Sequence, residues 1–244
     1  MTSVTTAYRL VDLLLSYETV PDDSFVGHLP PSSWQTLLEA APAIHTYARD
    51  ELLPMTAEDR YVYIVTRGCV RQDRFPLGAG EGVPTITRFR GVGQFLGEAK
   101  LIAPASHVLT RCLSETEVIR WRVRYMNVLH RRRPEVQLAL LRSLEDRNRS
   151  DELVYSMTTR PPFERVSRLI AHLADIAGVP DPDTAGRTTI TGPSQRDMAA
   201  ALQLGISSVE SAIRTLRYQG ILDAGYRKFT VLDLEGLRHF TTGA

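Results

Sequence analysis

One stretch, "SQRDMAAALQLGISSVESAIRTLRYQGIL" at residues 194–222, constrains the fold more than any other part of the chain. Apolar residues in its second half recur at three- and four-residue steps, at Val209, Ala212, Ile213 and Leu216. This spacing places them on one face of a helix and leaves a polar face opposite. An S-x-x-E capping box at Ser207 and Glu210 predicts that this helix starts at Ser207. The stretch therefore predicts two short helices joined by a tight turn.

The spacing alone fits an ordinary αα-hairpin as well as a DNA-reading helix-turn-helix. The tail "GYRKFTVLDLEGL" favours the second interpretation, because it predicts a two-stranded β-wing followed by a short helix. Arg227 and Lys228 lie at the wing turn, where phosphate contacts are expected. From Arg187 onward there are seven basic and five acidic residues, a local net charge of +2 in a chain of net charge +1.

Changes in the periodicity of apolar residues divide the chain into three units. Residues 1–125 contain short helices near the start, one of them around Leu10, and then a series of short strands broken by Gly-rich turns. Such a series predicts a small barrel or sandwich. A long helix is expected within 126–159, and "TTRPPFER" ends it at a hinge. Residues 160–244 then form the third unit, with a loop expected at "AGVPDPDTAG".

The long helix begins at Pro134 and has no interior Pro or Gly for more than 20 residues. A helix of this length needs something to pack against along it, often a second copy of itself. We therefore predict a homodimer contact, made by Leu141, Leu144, Asn148 and Val154. Asn148 either pairs with its counterpart in the buried dimer contact, where it would fix the register of the two helices, or faces solvent.

Composition narrows the class of protein. The 244 residues suffice for two domains, and no apolar run approaches the length of a bilayer span, so we expect a cytoplasmic protein without membrane contact. Cys69 and Cys112 are too few for an iron–sulfur cluster, and Cys69 is expected to be a core residue. No spacing among the six histidines favours haem. No nucleophile–base, P-loop or metal-ligand motif is present, which argues against an enzyme.

This order of units resembles the CRP/FNR superfamily of dimeric bacterial transcription regulators. The resemblance rests on the helix-turn-helix stretch, on "PPFERVSRLIAHLA", and on G-x-G-x-F-x-G-E in "GVGQFLGE" at residues 91–98. It implies an α+β fold with an N-terminal cyclic-nucleotide-binding-like jelly-roll β-barrel, a dimerisation helix and a C-terminal winged helix-turn-helix. It also implies double-stranded DNA, a second copy of the chain and RNA polymerase as partners.

The recognition helix departs from the family pattern. Family members often read bases with Arg and Glu in an S-R-E-T-V run, whereas this chain has "GISSV" at 205–209, and Gln203 replaces the turn glycine. We expect base contacts from Arg214 and Glu210, with serines fitting the groove. We expect DNA bending to supply further specificity. The expected DNA-binding residues are Gln195, Arg196, Ser207, Ser208, Glu210, Ser211, Arg214, Arg217, Arg227 and Lys228.

The effector site departs as well. In cyclic-nucleotide binders an Arg-Ser pair follows the Gly-Glu, and here Ser106 and His107 fall at those positions. Ordinary cAMP binding is therefore not expected, because the buried phosphate would lack its Arg. Arg111 either reaches into this site or faces solvent. The candidate pocket comprises Gly97, Glu98, Ser106, His107, Arg111, Ser150 and Asp151.

Two further alternatives stay open at the level of sequence. The barrel is either a sensor for a small molecule, such as a cyclic mono- or dinucleotide, or a ligand-independent platform. The helix-turn-helix either reads DNA or binds a protein partner, because its reading face is rich in serine.

Overall fold

A computed structural model describes residues 20–41, 43–56, 58–75, 84–102 and 108–241. The helix predicted around Leu10, the Gly-rich turn at 76–82, Ser106 and His107 lie outside these ranges. Within them the chain has the predicted α+β organisation, with a strand-rich N-terminal half, a long helix and a helical C-terminal unit.

Two antiparallel sheets form the N-terminal jelly roll. The first has the order β1-β7-β2-β5, and the second has the order β4-β3-β6. Their strands are β1 Ile44–Tyr47, β2 Tyr61–Arg67, β3 Val70–Arg74, β4 Ile86–Arg90, β5 Phe95–Leu96, β6 Val108–Cys112 and β7 Thr116–Arg122. Tyr63 and Val65 of the first sheet share one apolar cluster with Val70 and Cys112 of the second. No strand pair joins the two sheets within the described ranges, so the roll is open rather than a closed barrel.

Helices cover the outer side of the first sheet. They are α1 Pro31–Glu39, a 3₁₀ helix Glu98–Leu101, α2 Val123–Arg132 and α3 Pro134–Tyr155. Trp34 and Trp121 pack with Met126 and Leu140 in one cluster, which fixes α2 and α3 against the roll. Helix α3 spans 22 residues from Pro134, as predicted. A helix of that length measures about 33 Å.

The C-terminal unit contains α4 Pro162–Ala177, β8 Gly178–Pro180, β9 Thr188–Thr191, α5 Gln195–Leu202, α6 Ile206–Tyr218, β10 Leu222–Gly225, β11 Lys228–Val231 and α7 Leu234–His239. The wing strands and the final helix are present as predicted. The loop expected at 177–186 is wrong in part, because β8 pairs with β9 there.

The start predicted for the recognition helix is also wrong. Helix α6 begins at Ile206, its N-cap is Gly205, and no side chain caps it. A capping box is found one helix earlier, where Ser194 and Asp197 bond reciprocally at the start of α5. The motif at Ser207 fails because that residue already lies inside the helix.

The C-terminal unit packs directly on the jelly roll. Cys69, Phe89 and Leu113 of the roll belong to the same apolar core as α4, α5 and α6. At Gly91 the two parts approach so closely that a Cβ atom would lie 1.9 Å from the carbonyl oxygen of Ile176. The adjacent Val92 N–H donates to that carbonyl at 2.9 Å. Packing thus requires glycine at position 91, the first glycine of the "GVG" motif.

Candidate nucleic-acid interface

Helix α6 separates its apolar and polar faces as the sequence predicts. Its inward residues are almost inaccessible, with relative exposures of 0% for Val209, 4% for Ala212, 3% for Ile213 and 0% for Leu216. They pack against α4 and α5 in the C-terminal core. The opposite face carries Ser207, Glu210, Ser211 and Arg214, all of them exposed. The apolar stripe therefore anchors the helix, and the serine-rich side is free to meet a ligand.

The turn between α5 and α6 is held without glycine. Gln203 adopts the left-handed conformation at φ 52°, in the place where family members carry glycine. The N–H of Leu204 donates to the carbonyl of Ala199 at 3.0 Å, which closes the end of α5. Gln203 can therefore replace glycine here, at a cost in backbone strain.

The wing places two cations at its turn. Lys228 is exposed, whereas the Arg227 Nη1 donates to the Asp50 carboxylate of the jelly roll at 2.9 Å. The pair with Asp50 raises the pKa of Arg227 above its ordinary value. Arg217, at the other end of α6, lies 3.8 Å from Asp223. One of the predicted phosphate contacts is thus already occupied within the chain.

Most of the predicted DNA-binding residues are accessible. Three of the ten predicted DNA-binding residues are half-buried, namely Gln195, Ser208 and Arg227, and the other seven are exposed. They come from α5, α6 and the wing, all of which pack around one core. Arg196 and Arg214 form no ion pair within the described ranges, so their guanidinium groups remain available.

The predicted effector residues are engaged with side chains of this chain. Arg147 of α3 donates to the Glu98 carboxylate, which in cyclic-nucleotide binders would take the ribose. Arg90 of β4 holds Asp151 through two hydrogen bonds of 2.9 and 2.6 Å. Gly97 keeps its left-handed conformation at φ 85° just before Glu98. The carboxylates of Glu98 and Asp151 are therefore neutralised by arginines of the same chain.

Little space remains around the pair of Arg90 and Asp151. The cavity beside Arg90, Arg147 and Asp151 has a volume of about 10 Å³, which is room for a single water molecule. Ser150 lies 3.3 Å from His172 Nδ1, and burial lowers the pKa of His172 to about 4. The residues beside Asp151 thus leave no room for a nucleotide, whereas Glu98 lines a separate cavity of about 470 Å³ between the 3₁₀ helix, α2 and α3.

Arg111 is not part of this cluster. Its Nη1 donates to the backbone carbonyl of Asp50 at 2.9 Å, on the edge of the jelly roll. The structure therefore brings together Gly97, Glu98, Ser150 and Asp151 near α3, and leaves Arg111 elsewhere.

The predicted dimer residues divide between solvent and core. Leu141 is 56% exposed, Asn148 is exposed and Leu144 is half-buried on α3. Val154 is 5% exposed and belongs to the core shared with α4. The structure removes Val154 from the predicted dimer face, because its side chain is already used within the chain. Leu138 and Leu153 are the other exposed leucines on this helix.

Both cysteines are buried. Burial raises the pKa of Cys69 to about 12 and that of Cys112 to about 11. Cys69 is a core residue, as predicted, and packs with Phe89 and Leu113.

Sequence analysis missed Arg71, Arg90, Arg147 and Asp50 as functional candidates. Their partners lie far away in the chain: Arg90 is 61 residues from Asp151, and Arg71 is 126 residues from Asp197. No local spacing can reveal such pairs, since the tertiary fold alone brings them together.

Residues 164–240 match the Crp-like helix-turn-helix domain. This match confirms the predicted resemblance for the C-terminal unit. A search of curated proteins finds no match.

Solved structures resemble this fold across nearly their whole length. A CRP-family transcriptional regulator from Thermus thermophilus, TTHB099, is 24% identical, with 82% of this chain and 97% of that chain covered and a TM-score of 0.63. A putative cyclic nucleotide binding protein from Ruegeria pomeroyi is 21% identical, with 94% and 98% covered and a TM-score of 0.67. FixK2 from Bradyrhizobium japonicum is 20% identical, with 83% and 98% covered and a TM-score of 0.63.

No helix within the described ranges is both long and apolar enough to cross a membrane.

Proposed function

We propose that this protein is a sequence-specific DNA-binding transcription regulator that acts as a homodimer. The observation that carries the proposal is the division of α6 between a buried apolar stripe and an exposed polar face. A recognition helix needs both, because the stripe holds it rigidly while the free face enters the major groove.

The side chains on that face define how it reads DNA. Arg214 presents a planar fork of N–H donors that can bond two acceptors on guanine, and Glu210 can accept from cytosine. Each such contact discriminates against the wrong base by about 1–3 kcal/mol. Ser207 and Ser211 are short, so the N-terminal half of α6 can approach the bases closely. Their hydroxyls discriminate weakly, and Arg214 therefore carries most of the direct specificity.

Cations on either side of α6 would hold the DNA backbone. Arg196 on α5 and Lys228 on the wing are exposed and belong to different elements of the same unit. Contacts of this kind set the register of a protein on the duplex and are independent of sequence.

The exposed leucines of α3 support the homodimer. Leu138 and Leu141 are 46% and 56% exposed, and Leu153 is 47% exposed near the other end of the helix. Pairing two copies of α3 would remove this apolar surface from water. A dimer presents two copies of α6 to successive major grooves about 34 Å apart.

The closed site near α3 favours a regulator that works without a cyclic nucleotide. Glu98 and Asp151 are paired with Arg147 and Arg90, and the cavity beside Asp151 is too small for a nucleotide. Of the two roles considered for the jelly roll, this arrangement supports the ligand-independent platform.

Selection of bound sequences from a random duplex library tests the proposal. We expect one two-fold symmetric site, bound with a steep salt dependence because phosphate contacts release counterions. Arg214→Ala should weaken that site by about 5- to 150-fold, equivalent to about 1–3 kcal/mol, and relax the preference at one base pair. Arg131→Ala, at an exposed arginine on α2, is the matched control and should bind like the wild type.

Failure to enrich any sequence would overturn the proposal. So would an enriched site that Arg214→Ala binds as tightly as the wild type. Absence of salt-dependent DNA binding would leave the alternative of a protein partner for the serine-rich face.

A further inference from the structure

Three residues other than glycine have a positive φ within the described ranges. They are Asp50 at 67°, Gln203 at 52° and Arg227 at 50°. All three contact across the junction between the jelly roll and the C-terminal unit. Glycine would adopt these conformations without strain but would lack the side chain that makes the contact. Strained residues gathered at one junction are typical of parts that switch between two arrangements.

The pair between Asp50 and Arg227 lies at the wing. The Arg227 Nη1 donates to the Asp50 Oδ1 at 2.9 Å, and the two side chains are 21% and 49% exposed. Hydrogen bonds hold the backbone on both sides of this pair. The Asp50 N–H donates to the carbonyl of Cys112 at 2.8 Å, and Arg111 donates to the Asp50 carbonyl. The Arg227 carbonyl accepts from the Gly192 N–H at 2.9 Å. The two charges are therefore presented to each other by ordered turns.

Two further contacts hold the helix-turn-helix on the same side of the roll. The Arg71 Nη1 donates to the Asp197 Oδ1 at 2.8 Å, with both side chains less than one-fifth exposed. Asp197 also completes the capping box of α5, so this pair ties the start of that helix to β3. The Gln203 amide donates to the Thr85 carbonyl at 3.3 Å. The wing, the turn and α5 are thus each docked by one polar contact.

We propose that Asp50 takes the place of a DNA phosphate at Arg227, so that docking and DNA binding compete for the wing. This inference rests on the proposed function. A guanidinium group pairs with a carboxylate and with a phosphate through the same charge-assisted hydrogen bonds. While Arg227 is paired, one of its donors is used, and the Asp50 charge beside it repels a phosphate. DNA gains this contact only when the Arg227 side chain leaves Asp50.

The affinity of the full-length protein for a random-sequence duplex at low salt tests the competition, because phosphate contacts do not depend on sequence. Asp50→Asn removes the charge, and asparagine keeps the left-handed backbone. We expect this variant to bind about twofold to fivefold tighter, the range for releasing one exposed ion pair. Glu115→Gln is the matched control, because Glu115 is an exposed jelly-roll acid that faces Arg67, 3.6 Å away, in the same domain.

A double-mutant cycle separates competition from a general loss of negative charge. In the Arg227→Ala background, Asp50→Asn should bring no gain, because the group for which Asp50 competes is absent. Thermal unfolding of each variant checks that the fold is retained.

Three results would overturn the inference. The first is that Asp50→Asn binds no tighter than Glu115→Gln. The second is that it binds more weakly than the wild type, which would make the docked arrangement the DNA-competent one. The third is that the gain persists in the Arg227→Ala background. Failure of the proposed function looks different, since neither the wild type nor any variant would then bind the duplex.

Discussion

Arg90 and Asp151 are joined by two hydrogen bonds of 2.9 and 2.6 Å, which connect strand β4 of the jelly roll to the long helix α3. Only 8% of the Arg90 side chain is exposed, and the same strand carries Arg88, whose Nε lies 3.5 Å from the same carboxylate. The pair includes Asp151, one of the residues predicted to line the effector pocket. It therefore decides both the stability of the junction and the room left for a ligand.

Removing the carboxylate should destabilise the protein strongly. Asp151→Ala leaves the buried Arg90 without a partner, and we expect a loss of about 3 kcal/mol in the free energy of unfolding, measured by urea denaturation. The paired replacement Arg90→Met with Asp151→Leu should recover most of that loss, because the buried charge of Arg90 is removed together with its partner, and only the more exposed Arg88 then lacks the carboxylate. An Asp151→Ala variant as stable as the wild type would contradict this account.

Cyclic nucleotides should not stabilise the wild-type protein. A ligand present at 100 times its Kd would stabilise the fold by about 2.7 kcal/mol, which a thermal-unfolding scan detects readily. We expect no change in Tm with cyclic AMP, cyclic GMP or cyclic dinucleotides, because Glu98 and Asp151 are already paired. A rise in Tm that depends on ligand concentration would show that the ion pairs open for a ligand.

The oligomeric state should depend on the exposed face of α3. Leu141→Glu places a charge at a position that is 56% exposed, so the folded chain tolerates it while an apolar dimer contact does not. Sedimentation equilibrium should show a monomer for this variant and a dimer for the wild type. Val179→Glu is the matched control. Val179 is 68% exposed on β8, so this variant should stay dimeric. A dimeric Leu141→Glu variant would place the interface elsewhere.

Acid should weaken the fold through His172. Burial lowers the pKa of His172 to about 4 in the folded state, below its ordinary value of 6.5. The unfolded chain therefore binds the proton first as the pH falls, and stability is lost between about pH 6.5 and pH 4. At pH 5 this group should cost about 2 kcal/mol relative to pH 7.5.

The free energy of urea unfolding, measured across that range, checks the effect of His172. His172→Gln keeps a polar partner for Ser150 but does not titrate, so its stability should fall less on acidification. Parallel curves for the two proteins would exclude His172 as the cause.

The two cysteine thiols should not react with thiol reagents in the folded protein. Burial raises the pKa of both Cys69 and Cys112, so neither thiolate forms near neutral pH. We expect no reaction with a thiol-specific chromogenic reagent until denaturant is added, when both groups should react. A fast-reacting thiol in the native protein would show that one of the two cysteines is accessible in the folded state.

Much of the helical C-terminal unit was predictable from local spacing. The stripe from Val209 to Leu216 is buried because a helix places residues three and four apart on one face, whatever surrounds it. The length of α3 follows equally from the run without Pro or Gly after Pro134. The start of α6 was misplaced by one residue, since a capping box specifies a hydrogen bond that the local geometry need not make.

The sequence by itself determined which faces of the helices are apolar, where the long helix begins and how the wing follows α6, because these depend on neighbours within a few residues. Only the tertiary structure decided that Val154 is a core residue, that Arg90 and Arg147 neutralise the candidate effector carboxylates, and that Asp50 meets Arg227. The physical reason is distance along the chain: Asp50 and Arg227 are 177 residues apart, and only the packing of the two units brings their charges together.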